Sequence, residues 1–73
     1  MYIIIELQTD SEGNVGNIIT SFESRSDAEN KYHVAAAYAA VSSVPVHAVI
    51  FIDNRGKQIE PPCVFYHAAQ EEE

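Results

Sequence analysis

The sequence has few of the residues that small proteins use to brace a fold or to hold a metal. Only one of its 73 residues is cysteine, Cys63, which excludes an internal disulfide and a zinc site built on paired cysteines. Its three glycines are dispersed and form no phosphate-binding loop. We therefore expect no metal ion and no cofactor, and a single cysteine suits a reducing cytoplasm.

Basic residues and long apolar runs are also scarce. Four basic residues stand against 11 acidic ones, and the net charge of −7 argues against direct contact with nucleic acid phosphates or anionic lipid. No run approaches the roughly 18 apolar residues of a membrane span. The segment before Glu6 has no basic lead and too few apolar residues for a signal peptide. These absences predict a cytoplasmic protein with no nucleic acid or membrane partner.

The residues that are present suffice for one small core. The apolar fraction is 47% and the charged fraction is 21%, as in globular chains. We expect a single α+β domain over residues 1–67 and a polar acidic C-terminal tail over residues 68–73. A chain of this length lies near the lower limit for a core without disulfides or metal. Its stability is therefore expected to be marginal, or shared with a partner.

Alternating apolar residues and short turns predict two β-hairpins. The predicted strands are residues 2–9, 14–23 and 46–52, with a fourth from Lys57. Asp-x-x-Gly turns at 10–13 and 53–56 close the hairpins. The fourth strand should lie at an edge and break at Pro61 and Pro62, because proline donates no ladder hydrogen bond.

One helix is predicted between the hairpins. Ser26 and Glu29 fit a capping box, so the helix should begin at Asp27. It should fade at residues 42–43, because Pro45 disfavours helical geometry in the residue before it. The order is then β-β-α-β-β. With the two most apolar strands in the middle, this predicts a four-stranded antiparallel sheet in the order 2-1-3-4, with the helix packed on one face.

The predicted helix has more apolar surface than one sheet can cover. At 100° per residue, the stripe expected to face the sheet is Ala28, Tyr32, Ala35 and Ala39. Nearly opposite lie Val34, Ala37 and Val41, with Tyr38 between the two stripes, and these residues form the first candidate interface. Because small alanines permit close approach of a second helix, we expect a homodimer.

Both faces of the central strands are also apolar, and a single helix covers only one of them. One face carries Val46, Ala48, Ile50 and Ile52. The other face is the alternative interface that we predict: Tyr2, Ile4, Val49 and Phe51. The expected contact is therefore between the helices or between the sheets of two copies.

Residues that could support catalysis match no motif. The three histidines, His33, His47 and His67, lack the spacing of a zinc site, and no local signature of a thiol nucleophile surrounds Cys63. We predict no enzyme and no catalytic residue. The competing hypothesis is a small enzyme that uses His33, His47 or Cys63, with a pocket that unites at least two of these side chains.

The acidic composition permits another alternative. A small acidic protein can occupy the nucleic acid groove of a host nuclease or polymerase by presenting carboxylates in place of phosphates. The carboxylates considered for this role are Asp10, Glu12, Glu23, Asp27, Glu29, Asp53 and Glu60. They are few and dispersed, so inhibition of a host nucleic-acid-processing enzyme is the second hypothesis.

Three segments carry a resemblance to other sequences: IIIELQTDSEGNVGNIITSF, SRSDAENKYHVAAAYAAVSSVPVHAV and IEPPCVFYH. The shared features are a glutamine-threonine strand end, a glycine turn, an Ala-Glu-x-Lys-Tyr-His helix start, an Ala-Val-Ser helix end and a Pro-x-His start of the next strand. Together they resemble a group of short uncharacterised proteins encoded in phages and prophages of Gram-positive gut bacteria, as far as about His67. The resemblance implies a viral or prophage origin and a virion-associated or assembly role, with a host-directed inhibitor as the second reading.

Overall fold

The strands and the helix occur in the predicted order. A computed structural model describes residues 1–67, and the predicted acidic tail lies outside the described residues. The elements are β1 (Tyr2–Thr9), β2 (Val15–Phe22), α1 (Arg25–Ala40), β3 (Val46–Asp53) and β4 (Gln58–Tyr66). The strands form one antiparallel sheet in the order β2-β1-β3-β4. The predicted α+β fold is confirmed.

Both hairpins close with the Asp-x-x-Gly turns expected from the sequence. The Oδ1 atom of Asp10 accepts the backbone N–H groups of Glu12 and Asn14, each at 2.9 Å. Gly13 has a φ of 89°, a left-handed conformation that glycine adopts without a steric penalty. The backbone hydrogen bond from Asn14 is the main reason why the pKa of Asp10 lies below its ordinary value. Asp53 repeats this arrangement in the second turn, so both carboxylates are committed to their own hairpins.

The helix begins at Arg25, earlier than the predicted start at Asp27. Ser24 is the N-cap, and its Oγ atom accepts the backbone N–H of Asp27 at 3.4 Å. The hydroxyl of Ser26 instead lies 3.0 Å from the hydroxyl of Ser24. The predicted capping box is therefore wrong, and Glu29 forms a 3.0 Å ion pair with Arg25 in its place.

Strand β4 lies at an edge of the sheet, and its register with β3 shifts beside the two prolines. Phe51 pairs with Glu60, whereas Val49 pairs with Cys63, so the prolines fall in the irregular part of the ladder. A bulge of this kind absorbs residues that cannot donate a hydrogen bond. Strand β4 nevertheless runs through both prolines as one element, so the predicted break is wrong and the prolines shift the register instead.

The core lies between the helix and one face of the sheet. The helix stripe predicted to face the sheet, Ala28, Tyr32, Ala35 and Ala39, is buried. Its partners in the sheet are Ile4, Val49 and Phe51, with Tyr2 packed beside them. The alternative interface predicted at Tyr2, Ile4, Val49 and Phe51 is therefore wrong, because the helix of the same chain covers it.

Side-chain volume explains why the helix covers this face. The alanines of the stripe leave space above the sheet, and large aromatic side chains fill it. The ring of Phe51 lies 5.5 Å from the ring of Tyr32 and 6.3 Å from the ring of Tyr2. Aromatic contacts of this kind add to the free energy gained from burying the rings. The isoleucine face of the central strands is consequently left on the outside.

Candidate functional site

The sheet face that points away from the helix is uncovered and apolar. Because side chains alternate along a strand, the sequence neighbours of the buried Ile4 and Phe51 point to this side. We call it the open face, and its apolar members are Ile3, Ile5, Leu7, Val15, Ile19, Val46, Ala48, Ile50, Ile52, Val64 and Tyr66. At its margins, Ile19 is 63% exposed and Tyr66 is 71% exposed. The apolar surface thus extends across all four strands.

Within residues 1–67, the open face carries no charged side chain. Its polar members are neutral: Thr9, Asn17, Ser21 and Gln58. The charged residues lie on the helix, in the turns and connections, or on the helix-covered side of the sheet, as Glu6 does. The net charge of the whole chain is −7. Two copies can therefore bring their open faces together without placing carboxylates against each other.

The outer side of α1 is a second uncovered surface. The predicted helix interface lies there, and its members are all exposed: Val34, Ala37, Tyr38 and Val41. Alanines contribute little area to this surface, so it is smaller than the open face. Among the described residues, no helix is long and apolar enough to span a lipid bilayer.

A buried polar cluster lies beneath the helix. Glu6 and His47 are 8% and 4% exposed, and the Nε2 atom of His47 is 3.7 Å from the Oε1 atom of Glu6. The Nζ atom of Lys31 is 3.6 Å from the other carboxylate oxygen, and this contact offsets part of the cost of burying Glu6. Sequence reasoning did not find this cluster, although the alternation of side chains along β1 puts Glu6 on the same side as Ile4.

The three histidines and Cys63 lie in different surroundings. His33 is exposed on the helix, His47 is buried beneath it, Cys63 is half-buried against the core, and His67 lies 2.9 Å from a helix carbonyl. Within residues 1–67, no hydrogen bond joins any two of them, and no group of three histidine, cysteine or carboxylate side chains is placed to hold a metal ion. Two surface depressions of about 280 and 340 Å³ are lined by neither histidine nor cysteine.

Tyr32 ties the helix to the irregular part of β4. Its hydroxyl donates to the carbonyl oxygen of Pro61 at 2.9 Å and lies 3.0 Å from the sulfur of Cys63. The phenol therefore contacts both the backbone and the thiol of this segment. Burial, followed by the contact with Cys63 and the charge of Glu60, raises the pKa of Tyr32 to about 12.

Alkaline pH is expected to weaken this anchor. The pKa of Tyr32 rises from 10 to about 12 on folding, so the fold favours the neutral phenol. Its contribution to the free energy of unfolding is fully present below pH 10 and is lost as the pH rises through about 12. An ultraviolet absorbance titration of the wild type should show one tyrosine that ionises near pH 12, and this step should be missing from Tyr32→Phe. If Tyr32→Phe instead lost a step near pH 10, the raised pKa would not belong to Tyr32.

The open face and the outer side of α1 are thus two uncovered apolar surfaces within residues 1–67. Both are apolar, and both lie outside the core that the chain builds for itself. The resemblance to small phage and prophage proteins stays a prediction. Comparisons with protein-family models, with curated proteins and with solved structures found no match.

Proposed function

We propose that this protein is a non-enzymatic protein–protein interaction module that forms a homodimer through the open face. The observation that carries the proposal is the open face itself, which is apolar across four strands and has no charged side chain within residues 1–67. A sheet with two apolar faces needs a layer on each. Because α1 supplies one layer, a second copy of the sheet supplies the other.

The open face is large enough for a specific dimer. Strands spaced about 4.8 Å apart, with about 3.3 Å per residue, give a four-stranded face of roughly 19 by 26 Å. This is about 500 Å² on each copy, or roughly 1,000 Å² for the pair. That area reaches the lower bound of about 1,000 Å² for a specific protein interface.

Charge does not oppose a second copy on this face. An acidic chain repels its own copy wherever carboxylates approach each other. The open face avoids that repulsion, and its neutral polar residues lie mainly along its margins, as Ser21 and Gln58 do. Two copies can therefore pack through this surface without electrostatic repulsion. The outer side of α1 is the alternative contact within the same function, and it offers less apolar area.

An accessory role in phage or prophage biology is the biological part of the proposal, with the dimer associated with the virion or with its assembly. The resemblance of the sequence segments supports this part. The setting would be the cytosol of the host cell. A phage or host protein is the further partner that such a role implies.

Inhibition of a nucleic-acid-processing enzyme is the weaker alternative. A phosphate mimic must present free carboxylates to its target. Here Asp10 and Asp53 accept the backbone N–H groups of their own turns, Glu29 pairs with Arg25, and Glu6 is buried. These contacts leave few carboxylates for a partner, which weighs against mimicry.

Static light scattering across a concentration series tests the proposed function. At micromolar concentration we expect a mass twice that of the 8.1 kDa chain. The mass should stay constant on moderate dilution from that concentration. A mass that remains 8.1 kDa up to millimolar concentration would overturn the homodimer.

A further inference from the structure

Strand β2 is an edge strand that has no protection against pairing. It spans Val15–Phe22 and is exposed along most of its length. It has no charged residue and no proline, and its register with β1 is regular from end to end. Natural sheets usually protect their edges, because free backbone groups pair readily with another strand.

The opposite edge of the sheet is protected. Strand β4 carries Glu60, Pro61 and Pro62, and its register with β3 shifts at this point. Proline offers no N–H group to a neighbouring strand, and a bulge turns the edge away from a flat partner. The two edges therefore differ, and β2 is the one that can accept another strand.

The hydrogen bonds of the first hairpin identify the free backbone groups of β2. The N–H of Asp10 donates to the carbonyl of Asn14 at 3.0 Å, so this is a hydrogen-bonded pair. Such pairs alternate with non-hydrogen-bonded pairs along an antiparallel ladder. The backbone groups directed at β1 are therefore those of Gly16, Ile18, Thr20 and Phe22. The groups directed outwards are those of Val15, Asn17, Ile19 and Ser21.

We infer that β2 pairs antiparallel with β2 of a second copy, across a two-fold axis at Ile18. In this register Val15 lies opposite the partner's Ser21, and Asn17 lies opposite the partner's Ile19. Every outward backbone group of the strand is then hydrogen-bonded. Ile18, which is 50% exposed, meets its own copy at a non-hydrogen-bonded position with Cα atoms about 4.5 Å apart. The two sheets become one continuous sheet.

The symmetry of the edge favours a second copy over a foreign strand. The outward residues are arranged symmetrically about Ile18, as a two-fold axis requires. The absence of charge in β2 means that the strand does not repel its own copy. Ile18 pairs with Glu6 and so lies on the helix-covered side, away from the open face. The edge contact uses different atoms from the open-face contact and is the weaker of the two, so at micromolar concentration it joins open-face dimers only briefly and leaves the dimer mass unchanged. Its function rests on the proposed self-association.

Disulfide trapping tests the edge contact. Cys63→Ser provides a background without a native thiol, to which Ile18→Cys is added. Thr20→Cys is the matched control, because it lies on the same strand and the same side. In the proposed register two Thr20 residues lie roughly 14 Å apart, beyond the reach of a disulfide, whereas two Ile18 residues lie within reach. Ile18→Cys should therefore cross-link at least about tenfold faster on mild oxidation.

The outcomes separate the edge contact from the open-face dimer. Both cysteine variants are also made in a second background that carries Ile5→Lys, which disrupts the open face. Disulfide trapping is informative in this background because it captures edge pairs even when they are short-lived. Preferential cross-linking of Ile18→Cys in both backgrounds supports the edge contact. Equal rates for the two cysteines, or no cross-link from a folded Ile18→Cys protein, would overturn it. An unchanged mass for Ile5→Lys would overturn the open-face dimer alone.

Discussion

Ile5→Lys is expected to convert the proposed open-face dimer into a folded monomer of 8.1 kDa at micromolar concentration. Ile5 lies on a central strand and pairs with Ile19 and Ile50, so it occupies the middle of the open face. A dimer of this variant buries two unpaired ammonium groups, and an uncompensated buried charge costs about 3–5 kcal/mol. The dissociation constant should rise at least about 100-fold. Sedimentation velocity across a concentration series measures the change.

Val34→Lys is the matched control for this variant. Val34 is also a β-branched apolar residue, and it is 43% exposed on the outer side of α1. We expect this variant to keep the dimer mass, because the charge remains in solvent. If Val34→Lys were monomeric and Ile5→Lys stayed dimeric, the interface would lie on the outer side of α1 and not on the open face. Far-ultraviolet circular dichroism establishes that both variants are folded.

Phe51→Ala is expected to remove most of the stability of the fold. Phe51 is fully buried, and it contacts the rings of Tyr2 and Tyr32. A buried phenylalanine-to-alanine change costs about 3–5 kcal/mol, because it removes apolar contacts and leaves a cavity. A domain of this size has a free energy of unfolding of only about 4–11 kcal/mol. Urea unfolding followed by circular dichroism should show a large fall in the midpoint.

Tyr38→Ala serves as the control for the core substitution. Tyr38 is also aromatic, but it is 69% exposed on the outer side of the helix. Its replacement should change the free energy of unfolding by no more than about 0.5 kcal/mol. Equal effects of the two substitutions at one protein concentration would contradict the assignment of Phe51 to the core. If Phe51→Ala were instead a stable, folded monomer, Phe51 would belong to an interface between copies, as predicted from the sequence.

The turns and the strand order could be predicted because their causes are local or compositional. Asp10 accepts N–H groups only two and four residues away, and Gly13 adopts its positive φ within the same turn. Strands β1 and β3 are apolar on both sides, a pattern typical of the centre of a sheet. The prolines of β4 indicated an edge for the same reason that they disturb its register.

The face that the helix covers could not be predicted from alternation. Both sides of β1 and β3 are apolar, so a period of two residues does not distinguish them. The choice depends on volumes and contacts between distant segments: Phe51 fills the space that the helix alanines leave, and Lys31 reaches the carboxylate of Glu6. The predicted alternative interface is wrong because the helix covers that face. The opposite face is therefore the one left uncovered.

The start of the helix failed for a more local reason. Ser24 and Ser26 are both good N-cap residues, and Glu29 fits a capping box with the second of them. In the structure Ser24 is the N-cap, and Glu29 pairs with Arg25 one helical turn earlier. Sequence spacing alone does not distinguish a helix capped by Ser24 from a helix capped by Ser26.

The most direct test of the open-face dimer is an isotope-filtered NOE experiment on a mixture of labelled and unlabelled protein. Only contacts between copies give signals in such a spectrum. The dimer proposed here predicts intermolecular NOEs at the isoleucine methyl groups of Ile5, Ile50 and Ile52, together with protection of their signals from solvent. Intermolecular NOEs confined to Val34 and Val41, or no intermolecular NOE at all in the concentrated protein, would contradict it.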